Sequence, residues 1–528
     1  MPAPGWLGYV DIEGVGRVIR LNGTLGESSG GTADFPNELH FGCAAKWTRD
    51  ESTGAVRTEI DFATGTVVLV GHVADDVYTG AAGSGRFELR RLGAWPVSSY
   101  RAVCRPCAIA DGRQVSVHVN PDEWVGDPVL CYAEDTRVVR LYPTARNELV
   151  SEAGELFTLP DAEGGGQVRF LREGGSQRVA PRVVSSDADL VIDGPAGRLA
   201  GTFMRPQGPG PHPAVVMIHG AAGGLRDSYR LYAEHFVRGG VAALVYDKRG
   251  YGGSTGSSSR LTFADKADDA EAWFDHLRAR DDVRSDRVGI WGYSNGSWVA
   301  PILTARRPEV AFLAVVGAAG TTGLETEIHR RAFDLREQGV PEQQIAGVVE
   351  QWRIVYDLLE TREPDPAAET RFDELARAAR GSAELNRVRL HEYAIQVPFL
   401  GPVPPYATYQ DIVADLPRHS TTSDEWITDP VDSYRKIKVP VLFMVGDNDS
   451  NLPGMAGARR VARALDEGGN RAATVLVLPE TGHALNVVHL GQAQGITSEE
   501  AGYRFHAFRF AGGFVETVTG WAEARAAE

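Results

Sequence analysis

The chain has 528 residues, 43% apolar and 23% charged, with a formal net charge of -16. That length exceeds one hydrophobic core and implies two or three domains, and the acidic balance excludes the basic footprint that a nucleic-acid or anionic-membrane partner requires. The opening residues, MPAPGWLGYVDIEG, hold no basic segment followed by an apolar run, and no later stretch approaches 18 uninterrupted apolar residues, so the expectation is a cytoplasmic protein. Composition leaves the oligomeric state open, a homodimer included.

Residues 1–183 read as β-rich, with short alternating runs such as RTEIDFA, GTVVLVGHV and RFELRRL separated by Gly, Asp and Ser turns. Around GAWPVSS the pattern divides into a unit over 1–95 and a second small β-rich unit over 96–183. All four cysteines, Cys43, Cys104, Cys107 and Cys131, fall here. CRPC has the spacing of half a zinc site, but no second pair completes it, so buried free thiols are expected and no metal is assigned.

From 184 to 528 strands alternate with helices, which implies a mainly parallel, doubly wound sheet. Its buried strands are AVVMIHG, VAALVYD, VGIWGYS, FLAVVGA, VPVLFMVG and ATVLVLPE. FADKADDAEAWFDHLRAR supplies a crossover helix, with Phe263, Ala267, Ala270, Trp273, Phe274 and Leu277 on one face. The alternation breaks over about 321–432, where Ile345, Val348, Val349, Trp352, Val355, Tyr356 and Leu359 recur at helical spacing and QVPFLGPVPPYATY is Pro-rich and aromatic. A helical cap inserted between two core strands accounts for this stretch.

Gly-x-Ser-x-Gly occurs three times, at Ser28, Ser254 and Ser294. Chance alone supplies about 0.3 matches, so context must choose. Only Ser294 lies where a strand (Val288, Ile290) turns into a helix (Trp298, Val299, Ile302, Leu303), the place where a doubly wound sheet holds its ligands. Ser254 lies past the end of its strand, and Ser28 is in β-rich surroundings. Pro301 inside the helix predicts a kink.

A nucleophilic serine needs a base, and the base needs an orienting acid. VPVLFMVGDNDSNLP ends one late strand with Asp447 and Asp449, of which Asp449 is preferred, and ATVLVLPETGHALN ends the next with His483. Developing negative charge requires backbone donors. Asn295, directly after the nucleophile, and Ala221, in the HGAAGG loop, are the candidates, whereas His219 in that loop reads as structural.

HGAAGGLRDSY, VYDKRGYGGSTG, GIWGYSNGSWVAP, KVPVLFMVGDND and LPETGHAL together resemble the α/β-hydrolase superfamily, specifically bacterial serine hydrolases related to acyl esterases, acyl-CoA thioesterases and S9-type peptidases. The resemblance implies an α/β-hydrolase fold over about 188–525. It places Ser294, Asp449 and His483 as nucleophile, acid and base, and makes DKRGYGGSTG a structural loop. Relatives commonly carry His before the nucleophile and Gln-Gly-Gly after it, where this chain has Tyr293, Asn295, Gly296 and Ser297. The N-terminal part resembles, more faintly, lipocalin-like units. The activity implied is hydrolysis of an ester, thioester or lactone of a small to medium apolar acyl compound, through an acyl-serine and without a cofactor. Acyl transfer or cyclisation, a peptidase, and a non-enzymatic scaffold are the alternatives.

Overall fold

A computed structural model describes residues 5 to 527 except 24, 26–29, 36–39, 63–64, 94, 96–104, 110–113, 121–128, 135–136, 147, 152, 159–166, 171–175, 182–184, 222–223, 259–260, 388–394, 398–400, 404–407, 417–426 and 486–509. Ser28, Cys104 and half of the Pro-rich aromatic stretch therefore lie outside the described residues. Two closed antiparallel barrels come first. Eight strands, β1 (Gly5–Ile12) to β8 (Gly85–Arg91), close when β1 pairs with β8 from Trp6–Arg91 to Val10–Phe87. The inward positions include Trp6, Val10, Ile19, Phe35, Trp47, Ile60, Leu69 and Tyr78, all buried, so side chains fill the interior.

Eight further strands, β9 (Arg105–Ile109) to β16 (Ser176–Pro181), close through Val179–Ile109. Leu7 and Val18 of the first barrel pack with Tyr142, Val150 and Leu156 of the second. The second barrel in turn shares a core with the rest of the chain: Cys131, Ala133 and Val138 pack in one cluster with Phe236 and Trp291.

The third unit is an eight-stranded sheet. Its strands are β17 (Ser185–Gly194), β18 (Gly197–Pro206), β19 (His212–Ile218), β20 (Ala242–Tyr246), β21 (Val283–Tyr293), β22 (Leu313–Val316), β25 (Val441–Gly446) and β26 (Ala473–Leu478). The order is β17-β18-β20-β19-β21-β22-β25-β26. β17 and β18 run antiparallel and the other six are mutually parallel. The six predicted apolar runs are these six strands. Alternate residues feed two cores: Val216, Leu244, Ile290 and Phe443 face one layer, Val215, Val245, Trp291 and Met444 the other. The chain enters at β19, crosses to β20 on one side and returns to β21 on the other. The strand order thus reverses between β19 and β21, where such sheets open a crevice.

Helices cover both faces. α1 (Arg230–Arg238) lies over one; α2 (Phe263–Arg278) and α3 (Gly296–Arg306) lie over the other. α2 starts at Thr262, whose Oγ1 accepts from the Asp265 N–H at 3.0 Å while Asp265 accepts from the Thr262 N–H at 2.9 Å, satisfying two N–H groups that a helix start leaves unpaired. All six residues predicted for its apolar face are buried. α3 runs without interruption through Pro301.

Between β22 and β25 stands a helical insertion: α4 (Gly323–Glu337), α5 (Glu342–Thr361), α6 (Pro366–Gly381), α7 (Ala383–Arg387), the hairpin β23 (Ile395–Val397) with β24 (Gly401–Val403), and α8 (Tyr409–Asp415). It has its own core, in which Ile345, Val348, Trp352, Val355 and Leu359 of α5 pack on Ile328, Leu335, Phe372 and Ile412. Among the described residues no helix is long and apolar enough to cross a membrane.

Ser254 is 6% exposed, and its Oγ accepts from the Ala200 N–H at 2.9 Å and donates to the Asp247 carbonyl at 2.7 Å. It fastens the loop after β20 to β18. Ser254→Ala leaves both buried partners unsatisfied and should lower the unfolding free energy by about 1–3 kcal/mol. An unchanged denaturant midpoint would contradict this role.

Where the second barrel meets α1, Ser116 Oγ donates to buried Glu234 at 2.5 Å, with buried His118 and half-buried His235 nearby. Burial pushes His118 down to about 4 and, with the Arg238 charge adding, His235 down to about 3, whereas burial raises Glu234. Depressed imidazoles contribute stability above the unfolded value of about 6.5 and lose it as pH falls through the folded value; Glu234 acts in the opposite sense. Stability should therefore drop between about pH 6.5 and pH 4, and His118→Gln should flatten that slope. Superimposable pH profiles of the denaturant midpoint for wild type and variant would contradict the assignment.

Candidate active site

β21 ends at Tyr293 and α3 begins at Gly296, so Ser294 sits in a two-residue turn. Its φ is +49°, left-handed for a residue with a side chain, at a cost of about 1–3 kcal/mol that the surroundings must offset. They do so with a hydrogen-bond frame. The Ser294 N–H donates to the Val316 carbonyl at 3.1 Å, its carbonyl accepts from the Ser297 N–H at 2.8 Å and Ser297 Oγ at 2.6 Å, and Ser297 Oγ accepts from the Ala319 N–H at 2.8 Å. Ser297, one of the departures from the usual pattern, ties the turn to the chain following β22.

The flanking glycines are required by contact. A Cβ on Gly292 would lie 2.6 Å from the Gly296 carbonyl oxygen, and one on Gly296 would lie 2.6 Å from the carbonyl oxygen of Ile218. The Ser254 match lacks this strand-to-helix setting.

His483 follows β26 and lies between the other two groups. Its Nε2 is 2.9 Å from Ser294 Oγ and its Nδ1 is 2.9 Å from Asp449 Oδ2. Since a carboxylate only accepts, Nδ1 carries the proton and Nε2 is left to accept from the hydroxyl. Both His483, 3% exposed, and Asp449, 2% exposed, are shielded from water, which strengthens the interaction between them. The other Asp449 oxygen accepts from the N–H groups of Asn451 and Leu452, each at 2.8 Å. These bonds hold the carboxylate in one orientation. Asp447, the alternative acid, is exposed, and its carboxylate accepts from the Thr481 N–H at 3.4 Å. The structure thus brings Ser294, His483 and Asp449 together and leaves Asp447 aside.

Asn295 is the N-cap of α3, so its N–H lies at the positive end of the helix, while its side-chain oxygen accepts from Lys266 Nζ at 3.1 Å. Ala221 is on the loop after β19. Ile218 of β19 pairs with Gly292 of β21, which sets that loop beside the Ser294 turn. Among the described residues neither the Asn295 nor the Ala221 N–H meets a protein acceptor. His219 is buried between the rings of Tyr229, at 4.6 Å, and Tyr246, at 5.1 Å, a packing position behind the loop.

Three residues at this site were not legible from spacing. Ser297 is one. His329 of α4 is another: its Nε2 donates to the Asp449 carbonyl at 2.9 Å, and burial lowers its basicity. Lys248 is the third, its ammonium lying against the loop that carries Ala221. Each contact joins segments far apart in sequence. Among the described residues no group of three or more metal-ligating side chains occurs, and the Cys107 side chain lies outside that set.

An acid-held imidazole bonded to a hydroxyl, with backbone N–H groups on the adjoining turn and loop, can generate an alkoxide-like nucleophile and stabilise a tetrahedral oxyanion. The chain is similar to several known proteins. The chain is 28% identical over 142 residues to an uncharacterized 31.7 kDa protein encoded in the traX-finO intergenic region of Escherichia coli, covering 26% of this chain and 49% of that one. It is 32% identical over 115 residues to the quorum-quenching protein AidA of Acinetobacter baumannii, covering 22% and 38%. The chain thus spans half the length or less of these curated relatives. Among solved structures, it is similar to the Pyrococcus furiosus esterase Pf2001, with 15% identity and a TM-score of 0.36 over 57% of this chain and 84% of that one. It is likewise similar to the Pyrobaculum calidifontis esterase, with 15% identity and a TM-score of 0.37 over 65% and 83%. Residues 193–484, more than half of the chain and a span enclosing Ser294, Asp449 and His483, match the X-Pro dipeptidyl-peptidase (S15) family. By that match the chain belongs to the S15 family of serine hydrolases, within the α/β-hydrolase superfamily.

Proposed function

We propose that this protein cleaves an ester, thioester or lactone of a small to medium apolar acyl compound, with Ser294 as nucleophile, His483 as general base and then acid, and Asp449 as the orienting acid. The observation that carries the reading is the imidazole of His483, at 2.9 Å from both Ser294 Oγ and Asp449 Oδ2. Ser294 Oγ attacks the acyl carbonyl as its proton passes to His483 Nε2. The resulting oxyanion is held by the N–H groups of Asn295 and Ala221, and His483 returns the proton to the leaving group. Water then releases the acid from the acyl-serine. The helical insertion acts as a cap in this reading, supported by its position between β22 and β25 and by the bond from His329 to the acid loop. No cofactor takes part, and the partner is a small-molecule substrate.

The family match favours a second reading, a peptidase.

A fluorophosphonate probe should label Ser294, and Ser294→Ala should abolish both labelling and turnover of p-nitrophenyl esters. Labelling elsewhere in folded protein would overturn the assignment. Asp449→Asn, which favours the wrong imidazole tautomer, should lower kcat by about 10⁴-fold, and Asp447→Asn should leave it within about threefold of wild type because its carboxylate is solvated. Equal losses in the two variants would contradict the choice of acid. Turnover of simple acyl esters should exceed that of X-Pro aminoacyl amides; the reverse order would establish the peptidase.

A further inference from the structure

Lysine is rare in this chain, with five residues, yet two of them sit at the groups assigned to the oxyanion. Lys266 holds the Asn295 side chain, and Lys248 acts on the main chain of the opposite loop. Lys248 Nζ donates to the carbonyl of Gly220 at 2.5 Å and to the carbonyl of Ala221 at 2.8 Å. Its own backbone N–H donates to the carbonyl of Gly224 at 2.8 Å, so one residue holds both ends of the loop.

Amide geometry turns this into a statement about the donor. In a trans peptide the C=O and the following N–H point in opposite directions. Fixing the Gly220 carbonyl on the ammonium therefore turns the Ala221 N–H away from Lys248. The Gly220 N–H is already committed to the Tyr229 hydroxyl at 2.7 Å, which removes it as a donor and anchors the loop from behind. A cation on the carbonyl also polarises the amide and makes its N–H a stronger donor. A compact ammonium with three rotatable protons can serve two neighbouring carbonyls from one point.

We infer that Lys248 is a positioning residue for the reaction: its ammonium fixes and polarises the Gly220–Ala221 peptide so that the Ala221 N–H meets the charge developing on the substrate carbonyl oxygen. The inference rests on the serine-hydrolase reading of Ser294. Lys248 touches neither substrate nor nucleophile and acts through the peptide it holds.

The test compares Lys248→Met and Lys248→Arg in the full chain, with folding checked by thermal denaturation. Lys248→Met should slow fluorophosphonate labelling of Ser294 and lower kcat for p-nitrophenyl butyrate, each by about tenfold to hundredfold, below the cost of deleting a donor outright. KM should stay within about twofold, because the interaction strengthens only as charge develops. The affinity of a trifluoromethyl ketone, whose adduct carries an oxyanion, should fall in proportion to kcat/KM. Lys248→Arg, which keeps a cation within reach of both carbonyls, should recover most of the loss.

Unchanged labelling and kcat in folded Lys248→Met would overturn the inference, as would a rise in KM alone. If Lys248→Met fails to fold, Lys248→Gln, which can donate to one carbonyl, replaces it, and wild-type kcat in that variant would likewise overturn the role. Ser294→Ala is run in parallel. Full activity there would sink the underlying reading, whereas an inactive Ser294→Ala beside a fully active Lys248→Met would sink only the role of Lys248.

Discussion

One imidazole, bonded on both sides, organises the site. His483 lies 34 residues after Asp449 and 189 after Ser294 in the chain, so it can bridge them only if the ends of β21, β25 and β26 lie along one edge of the sheet. Parallel strands do this as a matter of geometry, because every crossover returns the chain to the same edge. The six buried parallel strands are thus the condition for the chemistry. A register slip in β26 would carry the loop bearing the histidine along the edge and away from Ser294.

The edge also explains how strain is tolerated. Ser294 holds a left-handed φ because Val316, at the end of the neighbouring strand β22, bonds the turn directly and Ala319, just after that strand, bonds it through Ser297. Gly292 and Gly296 leave room for the close approach of β19 and α3. The acid is treated in the same way: both Asp449 oxygens are occupied, and its carbonyl is held by His329 from the insertion. Ser294, Asp449 and the loop carrying Ala221 are each held by a segment distant in sequence, which is what the preorganisation of the proposed site requires.

How much of this can be read from the residues alone follows from the range of the interactions involved. The α2 face, the six core strands and the choice of Ser294 over Ser254 rest on local periodicity and on a strand meeting a helix, and these are visible in windows of about ten to twenty residues. The order acid-then-histidine also survives as sequence order. Closure of the two barrels does not, since it depends on β1 finding β8 and β9 finding β16, and alternation reports strands without reporting their partners. The contacts of Ser116 with Glu234, His329 with the Asp449 carbonyl and Lys248 with the Gly220 loop leave no periodic trace for the same reason.

The central claim is that Ser294, activated by His483, delivers a carbonyl oxygen to backbone donors at the switch point of the sheet. The most direct measurement is a crystal structure of the protein after inactivation by an organophosphonate. The account predicts phosphorus bonded to Ser294 Oγ, with its unsubstituted oxygen about 2.7–3.1 Å from the backbone nitrogen of Asn295. Phosphorus on another side chain, or that oxygen turned away from residue 295 toward solvent, would contradict it.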